Sequence, residues 1–394
     1  MNKPRKLTFG TAKLDTPALF ASYRIGDFPR AGLKCHPWAM TDTKALLLNA
    51  YDLIANHRTR HFIEDVQKCE RKLHGYVEFK GPLMLDSGAY NFITHQDVSI
   101  TPSKVLEIGL QLHADVSVVL DHPFTTKVPA QEMRKRWRTT IQNTQAMVEA
   151  LVQHSGDGKH KIRLMPVLHG HDTETLKCAL DDVMDIFGGE PEIVGIGSLA
   201  PLAQNGSKRT VVDIISTVRD LLPQAHIHSF SLGSALLMLF AFYCGADTVD
   251  SQTWIMSAAY KQVQLPGFYL TRLSRRDAEA DPINYKKVRY AFAEHMLRLI
   301  TEEGFAVKDW DTGDDWKSTT RKEALAYTSY LEDKNGTNHI HRRACHNLYA
   351  FNFETRRVRQ RMTVGTLPTF IEGRLKSTVY KKVLDYAVDK LARH

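Results

Sequence analysis

Asp86, Asp121 and Asp250 each stand at the end of an apolar, β-rich run of residues, and His169 and Ser198 end two more. Two carboxylates brought to opposite sides of one cleft can divide the work at a glycosidic carbon, one attacking while the other moves a proton. Displacing a base from C1′ of a ribosyl unit passes through an oxocarbenium-like state, which a carboxylate beneath the sugar stabilises and can trap covalently. Two successive inversions then retain the β configuration. The hexapeptide Leu85-Asp86-Ser87-Gly88-Ala89-Tyr90 fits a strand ending in a tight, glycine-permitted turn with an exposed carboxylate. It fits equally an Asp that caps the next turn. Thr248-Val249-Asp250-Ser251 repeats the theme further along the chain.

Residues of this kind need elements that bring them together. The apolar runs are Ala18–Tyr23, Ala45–Asn49, Leu83–Asp86, Val116–Asp121, Ile162–His169, Ile193–Leu199, Ile227–Leu232 and Asp247–Asp250, eight in all. Amphipathic stretches such as Lys104–His113, Gln131–His154, Asp172–Phe187, Thr210–Leu222 and Ser234–Cys244 lie between them. Alternating β and α elements predict a parallel sheet, and eight strands predict its closure into an α/β (β/α)8 TIM barrel whose active site lies at the C-terminal ends of the strands. After Tyr260 the alternation stops. Ile283–Glu303 is expected as a helix, Lys308–Asp315 as an acidic loop, and Leu375–Ala392 as a late closing helix. The expected division is therefore a barrel over 1–260, a basic insertion over 261–372 and a final helix over 373–394.

Composition narrows the class. With 43% hydrophobic residues in 394, the chain can bury a full core and exceeds one minimal barrel. No apolar run reaches the roughly 18 residues of a membrane span, so a cytoplasmic protein with no membrane partner is expected. The five cysteines are scattered, with no Cys-x-x-Cys, which fits a reducing compartment. The net charge of +8 is uneven: residues 1–260 carry 27 basic and 27 acidic side chains, and residues 261–394 carry 25 and 17. Such an excess suits a polyanion. Arg275 with Arg276, and Arg356 with Arg357, are candidate phosphate contacts, together with the 134–138 stretch; Trp137, Trp254 and Tyr349 are candidates to stack on a displaced base.

The ordered series Asn49–Leu53, Asp86–Tyr90, Asp121-His122-Pro123, His169-Gly170, Gly197–Ala200 and Ala246–Asp250 resembles the motifs of the tRNA-guanine transglycosylase superfamily over about two thirds of the chain. The resemblance implies that Asp250 is the nucleophile and Asp86 the general acid/base. It implies that Asp121 accepts from the N1 and exocyclic amino edge of guanine, and that Ser87, Gly88, His169, Gly197, Ser198 and Leu199 complete the base pocket. No cofactor is expected for the chemistry. The incoming base is expected to be a 7-deazaguanine.

Several departures refine these expectations. His169-Gly170-His171 stands where the family has a Gln-Gly-Gly segment, and the uncharged Pro201-Leu202-Ala203-Gln204 stands where an acidic residue would suit an aminomethyl group. A neutral base, 7-cyano-7-deazaguanine, is therefore favoured. The family's cysteine-rich zinc signature is missing, but His339, His341, Cys345 and His346 offer four potential ligands for a structural zinc in a comparable region. Asp250 leads into Ser251-Gln252-Thr253 rather than Pro-Thr-Arg. This change, with the missing cysteines, resembles the DNA-modifying branch of the superfamily, so DNA is the expected polymer and tRNA the alternative. A non-catalytic nucleic-acid-binding subunit on the same barrel is the rival from another class; retention of Asp86 and Asp250 argues against it.

Overall fold

A computed structural model describes residues 3–9, 12–24, 33–55, 61–90, 100–125, 127–154, 161–204, 207–332, 339–376 and 378–392. Two compact units share the chain, one of residues 1–25, 44–251 and 358–394, the other of 26–43 and 252–357.

The first unit contains the barrel. Its strands are β1 (Ala18–Ser22), β2 (Ala45–Asn49), β3 (Leu83–Asp86), β4 (Val116–Val118), β5 in two pieces (Arg163–Met165 and Val167–Leu168), β6 (Ile193–Ile196), β7 (His226–Ser229) and β8 (Thr248–Ser251). They are almost wholly buried, as near-continuous apolar runs are when a parallel sheet is covered on both faces. Every pairing between them is parallel.

Closure occurs at β5. Its first piece pairs with β4, with Val118 opposite Met165, and its second with β6, with Leu168 opposite Ile196. Pro166 between them has no N–H to give a ladder, but its carbonyl accepts from Gly195 N at 2.8 Å. One strand thus serves two neighbours, β8 pairs with β1, and no barrel strand is left with a free edge. The result is the expected (β/α)8 TIM barrel.

The five helices read between the runs are present as Pro102–Leu112, Ala130–His154, Thr173–Phe187, Lys208–Leu221 and Ala235–Cys244. Local chemistry sets their starts. Thr101 accepts from Lys104 N at 3.3 Å, Asp172 and Thr175 form a reciprocal capping box, and Ser234 accepts from Leu237 N at 3.1 Å. The expected late helix, Leu375–Ala392, is present as Lys381–Leu391, and a further helix, Leu367–Leu375, precedes it.

The second unit has its own core of Leu265, Phe292, Met296, Phe305, Trp310, Tyr327 and Tyr349, built on the helices Pro282–Glu303, Arg321–Leu331 and the first part of Ile340–Thr363. Its limits differ from the expected 261–372. The helix Thr253–Ala259 joins it because Asn347 Nδ2 donates to Trp254 O at 3.1 Å and Arg343 Nε to Ala258 O at 2.9 Å. Residues of the 26–43 stretch join it as well, since Asn352 Nδ2 donates to Thr43 Oγ1 at 2.8 Å and Lys34 N to His341 Nδ1 at 3.3 Å. Trp254 is fully buried and Tyr349 nearly so; they are core residues, not stacking platforms. Among the described residues no helix is long and apolar enough to cross a membrane.

Candidate active site

The C-terminal ends of the strands carry the polar residues, as the topology requires. Asp86, the last residue of β3, is register partner to Asn49, the last of β2, whose Nδ2 donates to Asp86 Oδ2 at 3.3 Å. The chain then turns tightly, and Gly88 N donates to the same oxygen at 3.2 Å. Gly88 has φ +84°, and a Cβ there would lie 2.4 Å from Asn49 Oδ1 and 2.3 Å from Tyr51 Cβ, so only glycine permits this turn.

Asp250 lies on β8 opposite Phe20 of β1. Ser22 Oγ donates to its Oδ2 at 3.2 Å and Ser231 N to its Oδ1 at 2.6 Å. Ser231 delivers that N–H from a left-handed backbone, φ +59°, a conformation that costs free energy for a non-glycine residue. Ser198 has φ +60° beside the same cavity, so two such residues serve one site.

Asp121 follows β4, where the chain leaves the ladder: Val119 N still donates to Met165 O, and Asn143 Nδ2 holds Leu120 O at 2.8 Å. Its Oδ2 lies 2.8 Å from His169 Nε2, and His169 Nδ1 lies 2.9 Å from Ser198 Oγ. Ser198 Oγ accepts from Phe124 N at 3.1 Å, so its own proton is available to His169 Nδ1. That assigns the His169 proton to Nε2, aimed at the carboxylate. Gly197 makes the approach possible, because a Cβ there would fall 2.2 Å from His169 Cε1.

These residues line one cavity, with about 540 Å³ of empty space including its mouth. Asp86, Asp121, Asp250, Gly197, Ser198 and Leu199 are on its wall, with Leu47, Ala89, Tyr90, Pro123, Ala200, Pro201, Phe230 and Ser231. Ser87, Gly88 and His169 are not. Ser87 is fully buried and its Oγ has no hydrogen-bond partner among the described residues; Gly88 shapes the turn; His169 orients Asp121 from behind. Sequence reasoning passed over Ser22, His228 and Ser231, and it placed Asn49 in a motif without giving it a role. Ser22 and Asn49 end β1 and β2, so the rule that singled out the aspartates also reaches them.

Electrostatics separate the carboxyls. Burial, then the negative charges of Asp121 and Asp250, push Asp86 up to about 8. At neutral pH it is a protonated acid facing a pocket with two other carboxyl groups, the arrangement in which one group can donate a proton while another attacks.

Two of the candidate phosphate contacts are paired with carboxylates of the protein. Arg356 Nη1 lies 3.5 Å from Asp42 Oδ2, and Arg357 Nε lies 3.5 Å from Glu303 Oε2. Arg276 is exposed, and the side chain of Arg275 lies outside the described residues. On the helix Ala130–His154, Arg134, Lys135 and Arg138 are exposed, whereas Trp137 Nε1 donates to Asp182 Oδ2 at 2.6 Å.

The four expected zinc ligands do not converge on one point, although Cys345 Sγ lies 3.8 Å from the His341 ring nitrogens. His346 is fully buried with Nε2 at 2.9 Å from Gln264 O and Nδ1 at 3.0 Å from Tyr327 Oη, and burial lowers it to about 4. His341 accepts from Lys34 N and donates from Nε2 to Trp310 O at 2.9 Å, which uses both its nitrogens. Burial holds the Cys345 thiol well above its ordinary range. Among the described residues no group of three or more His, Cys, Asp or Glu side chains is arranged to hold a metal ion.

The sequence pattern of the family described as queuine tRNA-ribosyltransferase matches residues 5–379. The chain belongs to this family. Among individual relatives it is 26% identical over 215 residues to the tRNA-guanine(15) transglycosylase of Archaeoglobus fulgidus, covering 55% of this chain and 42% of that protein. It is 29% identical over 195 residues to the protein of the same name from Aeropyrum pernix, covering 49% and 36%. With that of Methanosarcina mazei it shares 23% over 341 residues, covering 86% and 58%. The matches thus span from about a third to under six-tenths of these relatives' own length.

Proposed function

We propose that this chain exchanges guanine in tRNA for a 7-deazaguanine base by two displacements at C1′. The observation that carries the reading is the gathering of Asp86, Asp121 and Asp250 around one cavity, with Asp86 held protonated. Asp250 attacks C1′; the C1′–N9 bond breaks and guanine leaves with the proton of Asp86. The glycosyl ester to Asp250 persists while guanine is replaced. The incoming base gives its N9 proton to Asp86, N9 attacks C1′, and the ester bond to Asp250 breaks. Asp121, oriented by His169, is the acceptor for the N1 and exocyclic amino edge of each base. The uncharged rim of Leu199, Ala200 and Pro201 suits a neutral 7-substituent, so 7-cyano-7-deazaguanine is the proposed incoming base.

The proposed polymer differs from the DNA expected from sequence; the relatives' being tRNA-guanine transglycosylases supports tRNA. DNA remains as a second reading on one observation: the segment after Asp250 departs from the tRNA pattern, and Ser251 there is buried, its Oγ donating to Gly233 O at 2.7 Å. The deciding experiment supplies labelled 7-cyano- and 7-aminomethyl-7-deazaguanine with unmodified tRNA and with single- and double-stranded DNA, followed by nucleoside analysis. Cyano label in tRNA is the expected result. Label in DNA alone moves the polymer and leaves the chemistry. No label in any polymer, from folded protein, supports the non-catalytic binding subunit instead.

A further inference from the structure

A line of buried polar groups behind Asp250 takes no part in the exchange as written above. Thr248 Oγ1 lies 2.9 Å from His226 Nε2 and 2.9 Å from His228 Nδ1, and His228 Nε2, which has no hydrogen-bond partner among the described residues, lies 3.5 Å from Asp250 Oδ1. All three of His226, Thr248 and His228 are buried from solvent. Phe20 and Phe230 meet the His228 ring edge-on at 5.6 and 4.4 Å, which fixes its plane. Apolar side chains would fill this volume at lower desolvation cost, so the polar line calls for an explanation in chemistry.

Proton counting limits what the line can do. A hydroxyl has one proton, so Thr248 donates to one imidazole and accepts from the other. If both rings are neutral, two arrangements remain. In the first, His226 Nε2–H donates to Thr248, Thr248 donates to His228 Nδ1, and the proton of His228 is left on Nε2, directed at Asp250. In the second, every donor is reversed and a lone pair on His228 Nε2 faces the carboxylate of Asp250.

The ends of the line decide between them. At the far end His226 Nδ1 lies 3.9 Å from Asp247 Oδ2, but that carboxylate is already met by Arg219 and by Ile227 N at 2.9 Å. A lone pair there meets a charge largely neutralised. Burial, followed by the neighbouring His228 and Arg219, lowers His226 well below its ordinary value, so it carries a single proton. At the near end, among the described residues no arginine or lysine forms an ion pair with Asp250, so a lone pair from His228 would meet its charge directly. The first arrangement is therefore the stable one.

We propose that His228 is a positioning residue for Asp250, its Nε2–H oriented by the Thr248 hydroxyl and poised to close from 3.5 Å onto Oδ1 as Asp250 attacks C1′. The inference rests on Asp250 being the nucleophile of the proposed exchange. His228 is not on the cavity wall, so it acts through Asp250 and not on the substrate.

The test is single-turnover formation of the covalent adduct, with the full chain, a tRNA transcript and a guanine-containing DNA oligonucleotide, read on denaturing gels. His228→Leu and Thr248→Val should each slow adduct formation about tenfold, the lower range for a hydrogen bond to a charged group, with KM within about threefold of the parent. His228→Gln can still send an N–H toward Oδ1 and should recover most of the rate. The double variant should be no slower than His228→Leu, because both changes remove one interaction. Parent-like rates in folded His228→Leu or, should that variant not fold, in Thr248→Val overturn the inference, provided Asp250→Asn abolishes the adduct. An undiminished adduct in Asp250→Asn, or none from the parent with either polymer, overturns the exchange reading and this inference with it.

Discussion

The barrel mouth and the segment from His339 to His346 were both singled out for the same reason, a concentration of residues able to bind or react, yet one becomes a site and the other a core. At the mouth, Asp86, Asp121 and Asp250 come from three strands whose ends converge on one rim, so residues far apart in sequence share a cavity. On the helix Ile340–Thr363 neighbours in sequence are splayed by about 100° per residue, and His346 points to Tyr327 and Gln264 while Cys345 stays by His341. Closeness in sequence is thus a poor guide to a shared site on a helix. Position at a strand end of a closed barrel is a good one.

The largest expected effect tests the mouth. Asp86→Asn should lower turnover by about 10²–10⁴-fold, the range for removing a general acid. The parent's adduct-forming rate should fall as pH rises past about 8, where Asp86 loses its proton, and the variant's residual rate should lack that limb. Stability should fall with rising pH as well, over a lower range. A carboxyl whose folded value is raised from 3.8 to about 8 binds its proton more tightly when folded, so its contribution is present below pH 3.8 and lost as pH rises to about 8. Thermal melts of Asp86→Asn at pH 8 should therefore match or exceed the parent; a large loss would show that Asp86 is a structural cap, and the contrast with the helix would weaken.

An intermediate effect tests how the mouth is assembled. Gly197→Ala places a Cβ against His169 and should displace it from Asp121, costing about 1–3 kcal/mol of stability. Affinity for guanine, measured by titration calorimetry, should fall more than adduct chemistry at saturating substrate, because the proposed role of Asp121 is to read the base and not to attack. Unchanged affinity would separate Asp121 from base recognition.

The smallest effect tests the helix. Incubation with a strong chelator should leave the melting temperature unchanged, and Cys345→Ala should cost about 1 kcal/mol, the ordinary price of a buried side chain. Stoichiometric zinc by elemental analysis, lost together with several degrees of melting temperature, would reverse the comparison.

Two features were legible in the sequence because they depend on residues close together along it. The apolar runs set the eight strands, and the strand-end rule marked Asp86, Asp121 and Asp250. The rest depends on distances the sequence does not carry. Asn49 and Asp86 meet across 37 residues, Asp121 and His169 across 48, and Ser22 and Asp250 across 228. Only those meetings decide that Asp86 is protonated, that His169 stands behind the cavity wall, that His228 and Thr248 form a line to Asp250, and that residues of 26–43 pack with the second unit. Burial and charge act through space, so a residue's type could nominate it for chemistry, but its neighbours across the fold assigned the proton.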